Sequence, residues 1–109
     1  MRGVNPLDID NQKDTEGNVT GGTVTGLGLH IQWQNGGRKL PDGSLDEPNG
    51  AFVEDVLFAA KTRLEAFQGT KFQCRENALA ITKIEEAIHW LQHRSYDREV
   101  AGKLGSHEV

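Results

Sequence analysis

Apolar positions recur with two different periods along this chain. From Thr23 onward they alternate with polar residues or glycine, and period two with β-branched and aromatic members predicts a strand with one buried face. The alternating residues are Leu27, Leu29, Ile31 and Trp33. The run Asn35-Gly36-Gly37 ends this pattern with residues that favour turns. We therefore predict strands within residues 23–40, with 23–25 and 38–40 as short partner strands.

The second half of the chain carries a helical period. Apolar residues spaced by three and four predict an amphipathic helix over residues 50–68, preceded by Asn49 as N-cap and ended by Gly69. A second stripe predicts a long helix over residues 74–101. It consists of Ala78, Ile81, Ile84, Ile88 and Leu91. The linker of about five residues favours an antiparallel helical hairpin.

Residues 1–22 are polar and lack a sustained apolar period, so we interpret them as a mobile tail. Residues 23–109 then form a single domain. The predicted fold class is α+β, with a small N-terminal antiparallel β-sheet followed by a C-terminal antiparallel helical hairpin. The strand face covers only part of the apolar surface of two helices, and we therefore expect the chain to be homo-oligomeric.

Composition narrows the functional classes. The formal net charge is −4, from 12 Lys and Arg against 16 Asp and Glu, and this acidic balance disfavours binding to duplex DNA or RNA. The acidic balance does not exclude small anions as ligands, because they need only a local pocket. No apolar run reaches the length of a membrane span, the start lacks an apolar signal core, and the chain has 1 cysteine. These features predict a soluble, unexported protein of a reducing cytoplasm.

Catalytic and metal-binding signals are weak. His89 and His93 have the spacing of zinc ligands on one helix face, but no Glu lies between them, which favours a surface or packing role. Cys74 is better explained as a small buried hydrophobe than as a nucleophile. Glu85 and Glu86 are adjacent and point about 100° apart on a helix, a poor arrangement for acid–base work. We predict no catalytic residue, no metal site and no cofactor.

Anion-binding chemistry is better represented near the chain's end. Arg94 and Arg98 are four apart on the second helix and project from one side, where two guanidiniums can clamp a diphosphate. The alternative is two solvated arginines paired with nearby carboxylates. Asn77 offers a donor and an acceptor to a base edge or ribose, or else a hydrogen bond in its own helix turn. Phe67 can stack on a purine or belong to the core. Gly26 and Gly28 permit close backbone approach within the strands.

The continuous run from Phe67 to Leu91, together with the residues that follow it, resembles the phage Thoeris anti-defence sponge family. The following residues are His93-Arg94, Asp97-Arg98 and Gly105-Ser106-His107. The predicted strand from Gly26 to Gly36 and the start of the first helix, Asn49-Gly50 with Glu54 to Leu57, are similar to that family as well.

The resemblance implies a non-catalytic protein of the host bacterial cytoplasm. It would bind cyclic ADP-ribose isomers, the glycocyclic ADP-ribose made by bacterial TIR enzymes, and so keep them from triggering the Thoeris effector. Carried over residue by residue, Phe67 would stack on adenine, Asn77 would hydrogen-bond the ligand, and Arg94 and Arg98 would hold phosphate and ribose oxygens. The resemblance leaves open whether cyclic trinucleotides also bind, in a second site formed on assembly.

The predicted helix lengths separate these four residues. Phe67 and Asn77 flank the interhelical turn, whereas Arg94 and Arg98 lie roughly 25 to 32 Å beyond Asn77 along a straight helix. An antiparallel homodimer sets the turn of one subunit beside the far end of the other and makes two identical pockets. Assembly beyond the dimer, for instance to a hexamer, is left open. The alternative function is a non-enzymatic helical-hairpin module that docks another phage protein.

Overall fold

A computed structural model describes residues 5–100 of the chain, with side chains described as far as residue 94. Three strands precede two helices in the chain order. They are β1 (Leu7–Lys13), β2 (Val19–Gly26), β3 (Leu29–Trp33), α1 (Val53–Gln68) and α2 (Arg75–Val100). The described residues divide into two compact units, a sheet unit that ends at Phe52 and a helical unit that begins at Val53. The α+β class is confirmed, with its strands first and its helical hairpin second.

The sheet is an antiparallel meander with strand order β1-β2-β3. Ile9 pairs with Val24, and Val24 pairs with Ile31, so one apolar row crosses all three strands. The neighbouring rows place Asp8 and Asp10 opposite threonines of β2. Because side chains alternate between the faces of a sheet, one face is apolar and the other is polar. The apolar face is only partly covered within the described residues, since Ile9 is 63% exposed.

The turns of the sheet depend on short polar side chains and on glycine. The β1–β2 loop is closed by the Asp14 carboxylate, which accepts the backbone N–H groups of Glu16 and Asn18, both at 2.9 Å. The β2–β3 turn consists of Leu27 and Gly28, with Gly28 at a φ of 76°. Positive φ at the second turn position is accessible to glycine at little cost, which places Gly28 there.

Three predictions for the N-terminal half are wrong, and they concern the mobile tail, Leu27 and the partner strand at residues 38–40. Residues 7–13, assigned to a mobile tail, form β1, and residues 19–22 begin β2. These residues include too few apolar side chains to give a strand pattern, and their pairing depends on backbone hydrogen bonds. Residues 1–4 lie outside the described residues. Leu27 continues the alternation of β3 but lies in a turn, because Gly28 reverses the chain there. The partner strand predicted at 23–25 is confirmed within β2.

The predicted partner strand at residues 38–40 is also wrong, because Lys39 forms only an isolated bridge with Leu45. Asn49, predicted as the N-cap of α1, has a different role. Its carboxamide accepts the Asn35 N–H at 2.7 Å and donates to the Asn35 carbonyl at 2.9 Å. Its backbone N–H donates to Gln34 Oε1 at 2.8 Å. Asn49 therefore fastens the loop to the end of β3, and α1 starts four residues later.

The helical unit is an antiparallel hairpin. Lys61 Nζ of α1 lies 3.5 Å from Glu85 Oε2 of α2, and Glu54 near the start of α1 reaches Arg94 far along α2. The apolar stripe predicted from the sequence lies between the helices and is half-buried, except for Ala78, which is exposed. Its half-buried members are Val56, Leu57, Leu64, Ile81, Ile84, Ile88 and Leu91.

The helix bounds agree with the predictions to within a few residues. The helix predicted at 50–68 spans Val53–Gln68, and the helix predicted at 74–101 begins at Arg75 and is described to Val100, with residue 101 outside the described residues. Among the described residues no apolar side chain is fully buried. Within residues 5–100, neither helix is long and apolar enough to cross a membrane.

Candidate functional site

The turn end of the hairpin presents an aromatic pair. Phe67, in the last turn of α1, is 36% exposed, and its ring meets that of Phe72 edge to face at a centroid distance of 6.5 Å. The guanidinium of Arg63 lies 5.0 Å from the Phe67 centroid. Both contacts orient the Phe67 ring while part of its surface stays accessible. An aromatic ring held in this way provides a stacking surface for a planar base.

Cys74 caps the start of α2 beside this aromatic pair. Its Sγ accepts the backbone N–H of Asn77 at 3.4 Å, the bond that an N-cap side chain makes to the third helical residue. Gln68 also clamps Cys74, because its carboxamide accepts the Cys74 N–H at 2.9 Å and donates to the Cys74 carbonyl at 3.0 Å. Cys74 is exposed, so the prediction of a buried hydrophobe is wrong.

Asn77 follows this cap in the first turn of α2 and is half-buried. The hydrogen bond that the structure gives it is made by its backbone N–H to Cys74, and its side-chain carboxamide has no partner within residues 5–94. The carboxamide therefore keeps both its donor and its acceptor for another molecule. Phe67 and Asn77 flank the same interhelical turn, as the sequence predicted.

Arg94 lies at the opposite, open end of the hairpin. Its Nη2 is 3.4 Å from Oε1 of Glu54, a residue in the first turn of α1. The Nε of Arg94 is buried and lacks a hydrogen-bond partner among the described residues. The Arg94 side chain as a whole is 40% exposed. This guanidinium is thus held loosely by one carboxylate and retains unused donor groups.

A single chain does not bring the four predicted residues together. Phe67 and Asn77 lie at the turn end, whereas Arg94 pairs with the start of α1, one helix length away. A helix of 16 residues is about 24 Å long. The side chain of Arg98 lies outside the described residues, so the clamp predicted for Arg94 and Arg98 stays a prediction.

The candidate metal pair lies on the outer part of α2 near Trp90. The His89 and His93 rings each meet the Trp90 ring edge to face at 6.0 Å, and Trp90 itself is 67% exposed. No group of three or more His, Cys, Asp or Glu side chains converges anywhere in the part of the chain that the structure describes. The geometry of the two histidines is that of an aromatic cluster around Trp90.

Sequence reasoning missed two features. The first is the contact of Glu54 with Arg94, because the sequence pattern places Glu54 only at the start of the first helix and does not pair it with the far part of α2. The second is a polar cleft of about 410 Å³ in the sheet unit, lined by residues from distant stretches of sequence. Its lining residues are Gln12, Gly21, Gly22, Thr23, Gln32, Trp33, Asn35 and Asn49. No charged residue lines it, and Asn49 uses its carboxamide to hold the loop.

The structure thus defines a small sheet unit followed by a helical hairpin with an aromatic–amide end and a guanidinium end. The Acb2/Tad1 hairpin-domain family model matches residues 31–95, which is more than half of the chain. The chain belongs to this family, and the family resemblance identified from the sequence is confirmed.

A relative from Bacillus phage SBSphiJ7, Thoeris anti-defense 1, is 52% identical over 60 residues. The aligned part covers 55% of this chain and 42% of that protein. The chain therefore matches less than half of that relative's length.

Proposed function

We propose that this protein acts in phage anti-defence by binding cyclic ADP-ribose isomers made by bacterial TIR enzymes and holding them intact, which blocks Thoeris immunity. The observation that carries the proposal is family membership through the hairpin, combined with 52% identity to a phage protein named for Thoeris anti-defence. The chain's exposed aromatic, free carboxamide and incompletely paired guanidinium supply the chemistry that such a ligand needs.

Each of these side chains suits a different part of the ligand. Phe67 offers a partly open ring for stacking on adenine, and the Asn77 carboxamide offers both a donor and an acceptor. Arg94, with Arg98 beyond it, binds phosphate and ribose oxygens, for which the planar guanidinium is well shaped. The proposal involves no cofactor.

The proposed active species is an antiparallel homodimer in the cytoplasm of the infected cell. Two observations support it. The hairpin separates its two sets of ligand groups by about one helix length, and its apolar stripe is only half-buried within one chain. A second copy covers apolar surface and also sets the turn end of one chain beside the open end of the other. Association of dimers into a hexamer and capture of cyclic trinucleotides are left open by this proposal.

We propose sequestration in preference to hydrolysis. Glu85 lies at the margin between the helices, where it pairs with Lys61 of α1, and Glu86 pairs with Lys83 on the exposed surface of α2. Carboxylates engaged in surface ion pairs on different sides of a helix do not form an acid–base pair around one bond.

One experiment separates the candidate functions. The purified protein is incubated with signal produced by a TIR enzyme, the mixture is filtered, and the retained protein is heated to release what it holds. Depletion of the signal followed by release of intact signal supports the sponge. Degraded signal supports a hydrolase. Unchanged signal supports the alternative, a hairpin module that docks another protein, for which the exposed Phe58 and Trp90 side chains offer apolar contacts.

A further inference from the structure

The contact between Glu54 and Arg94 has a geometry that suits the ordering of a guanidinium. Nη2 of Arg94 meets Glu54 Oε1 at 3.4 Å, and the adjacent Nε is buried. Nε and Nη2 form the lateral edge of the guanidinium fork. The structure therefore turns this edge toward α1, and the terminal edge, formed by Nη1 and the second hydrogen of Nη2, is left for other partners.

We infer that Glu54 is a positioning residue that holds the lateral edge of Arg94, so that the terminal edge is presented to a phosphate group of the bound signal. This inference rests on the proposed function. An arginine side chain loses much rotamer freedom when it is ordered, and a carboxylate that fixes it beforehand lowers that cost at the moment of binding. Nε lacks a partner within the described residues, and a carboxylate is the group that can accept from Nε and Nη2 of one guanidinium together.

The sign of a mutational effect distinguishes positioning from plain electrostatics. If Glu54 were only a nearby negative charge, its removal would strengthen the binding of an anion. If it positions Arg94, its removal weakens binding. Asp55 is the matched control because it carries the same charge in the same first turn of α1 but is exposed, and the structure shows no contact between it and Arg94.

The test measures calorimetric binding of the TIR-produced cyclic ADP-ribose isomer to wild type, Glu54→Ala, Glu54→Gln and Asp55→Asn. Loss of an oriented, charge-assisted contact weakens binding by about tenfold or more in Glu54→Ala. Glu54→Gln keeps a neutral acceptor and loses less. Asp55→Asn stays within about threefold of wild type. Thermal unfolding of every variant verifies that the hairpin is intact.

A second measurement needs no ligand. The Nε–Hε resonance of Arg94, assigned by its absence from Arg94→Lys, reports the order of the guanidinium in the free protein. We expect a rigid group in wild type and a mobile one in Glu54→Ala.

Equal or tighter binding by Glu54→Ala overturns the inference and leaves the proposed function standing, as does an Arg94 group that is equally rigid in both proteins. A wild type that binds no signal overturns the proposed function, and with it the role of Glu54 in binding. An Arg94 guanidinium that is rigid in wild type and mobile in Glu54→Ala, together with weakened binding by Glu54→Ala, supports both the proposed function and the positioning role of Glu54.

Discussion

Each of the two units of this protein is stabilised internally by a different kind of interaction. In the described part of the sheet unit only Gly21 and Gly22 are buried, and order comes from backbone pairing and from carboxamide and carboxylate side chains that fasten loops. In the hairpin, order comes from an apolar stripe between two helices with ion pairs at its margins. The sheet unit should therefore respond most to backbone changes and the hairpin to changes in side-chain polarity.

The largest effect is expected where a charge enters the hairpin stripe. Ile84→Asp places a half-buried carboxylate between the helices, and we expect about 3 kcal/mol of lost stability, since a partly desolvated charge without a partner is costly and an apolar contact is lost. Chemical denaturation at several protein concentrations measures it. Thr82→Asp, at an exposed position of the same helix, serves as the control and should cost less than about 1 kcal/mol. Equal costs at the two positions would contradict the packing role assigned to the stripe.

The next effect concerns binding and the two ends of the hairpin. We expect Asn77→Ala and Arg98→Ala each to weaken signal binding by about a hundredfold, as when a buried charge-assisted contact is truncated. Co-expression of the two variants gives mixed dimers, in which one pocket combines the two intact residues. Calorimetry should then detect one binding site per mixed dimer, which is half of the number expected for the wild-type dimer. If the mixed dimers showed no restored binding, the proposal of a pocket shared between two chains would be wrong.

A smaller effect tests the sheet unit. Gly22 has a φ of 140°, and a Cβ at this position would collide with the backbone carbonyl of Asp10 on β1. We expect Gly22→Ala to cost about 2 kcal/mol or more through backbone strain. Gly28→Ala is the matched control because Gly28 also has positive φ but faces open space, so its cost should be near 1 kcal/mol. Amide hydrogen exchange should locate the Gly22→Ala loss in β1 and β2, and an equal loss in the hairpin would break the distinction between the units.

The smallest effect lies in the loop at residues 41–47. Hydrogen bonds from the Ser44 hydroxyl and the Ser44 backbone N–H lower the pKa of the Asp42 carboxyl below its ordinary value. A lowered pKa in the folded protein favours the loop conformation above the ordinary pKa, and this contribution is lost as the pH falls through the lowered pKa. Ser44→Ala should raise the pKa of Asp42 toward its ordinary value in an NMR titration without shifting the thermal unfolding midpoint. An unchanged pKa would contradict the hydroxyl's role.

Sequence reasoning succeeded where the period was long. Spacings of three and four over more than a dozen residues define both helices, and few other structures bury such a stripe. In β1 only Leu7 and Ile9 carry the alternation, which is too short a signal to separate a strand from a polar tail. The placement of Leu27 in a strand failed for a related reason. Leu27 continues the alternation of Leu29 and Ile31 in β3, although the chain turns at Gly28.

The candidate site was predictable only in part. Residue types and spacing identified Phe67, Asn77, Arg94 and Arg98, with roles that the resemblance supplied, and helix length alone separated them into two groups. Glu54 was not recognised as a partner of Arg94, since the two residues are 40 apart in sequence and meet only once the register of the hairpin is known. The cleft on the sheet unit was missed because its lining residues come from three strands and the loop at Asn49, and they meet only once the strand pairing is known.

If the proposed dimer forms, the separation of Phe67 and Asn77 from Arg94 along the hairpin also couples assembly to signal binding. In the proposed dimer each pocket exists only when two chains meet, so every bound molecule stabilises the association, and by thermodynamic reciprocity association tightens capture. At the low protein concentrations of early infection, capture should rise more steeply than in proportion to the amount of protein made. Accumulating signal would itself recruit free chains into the form that removes it.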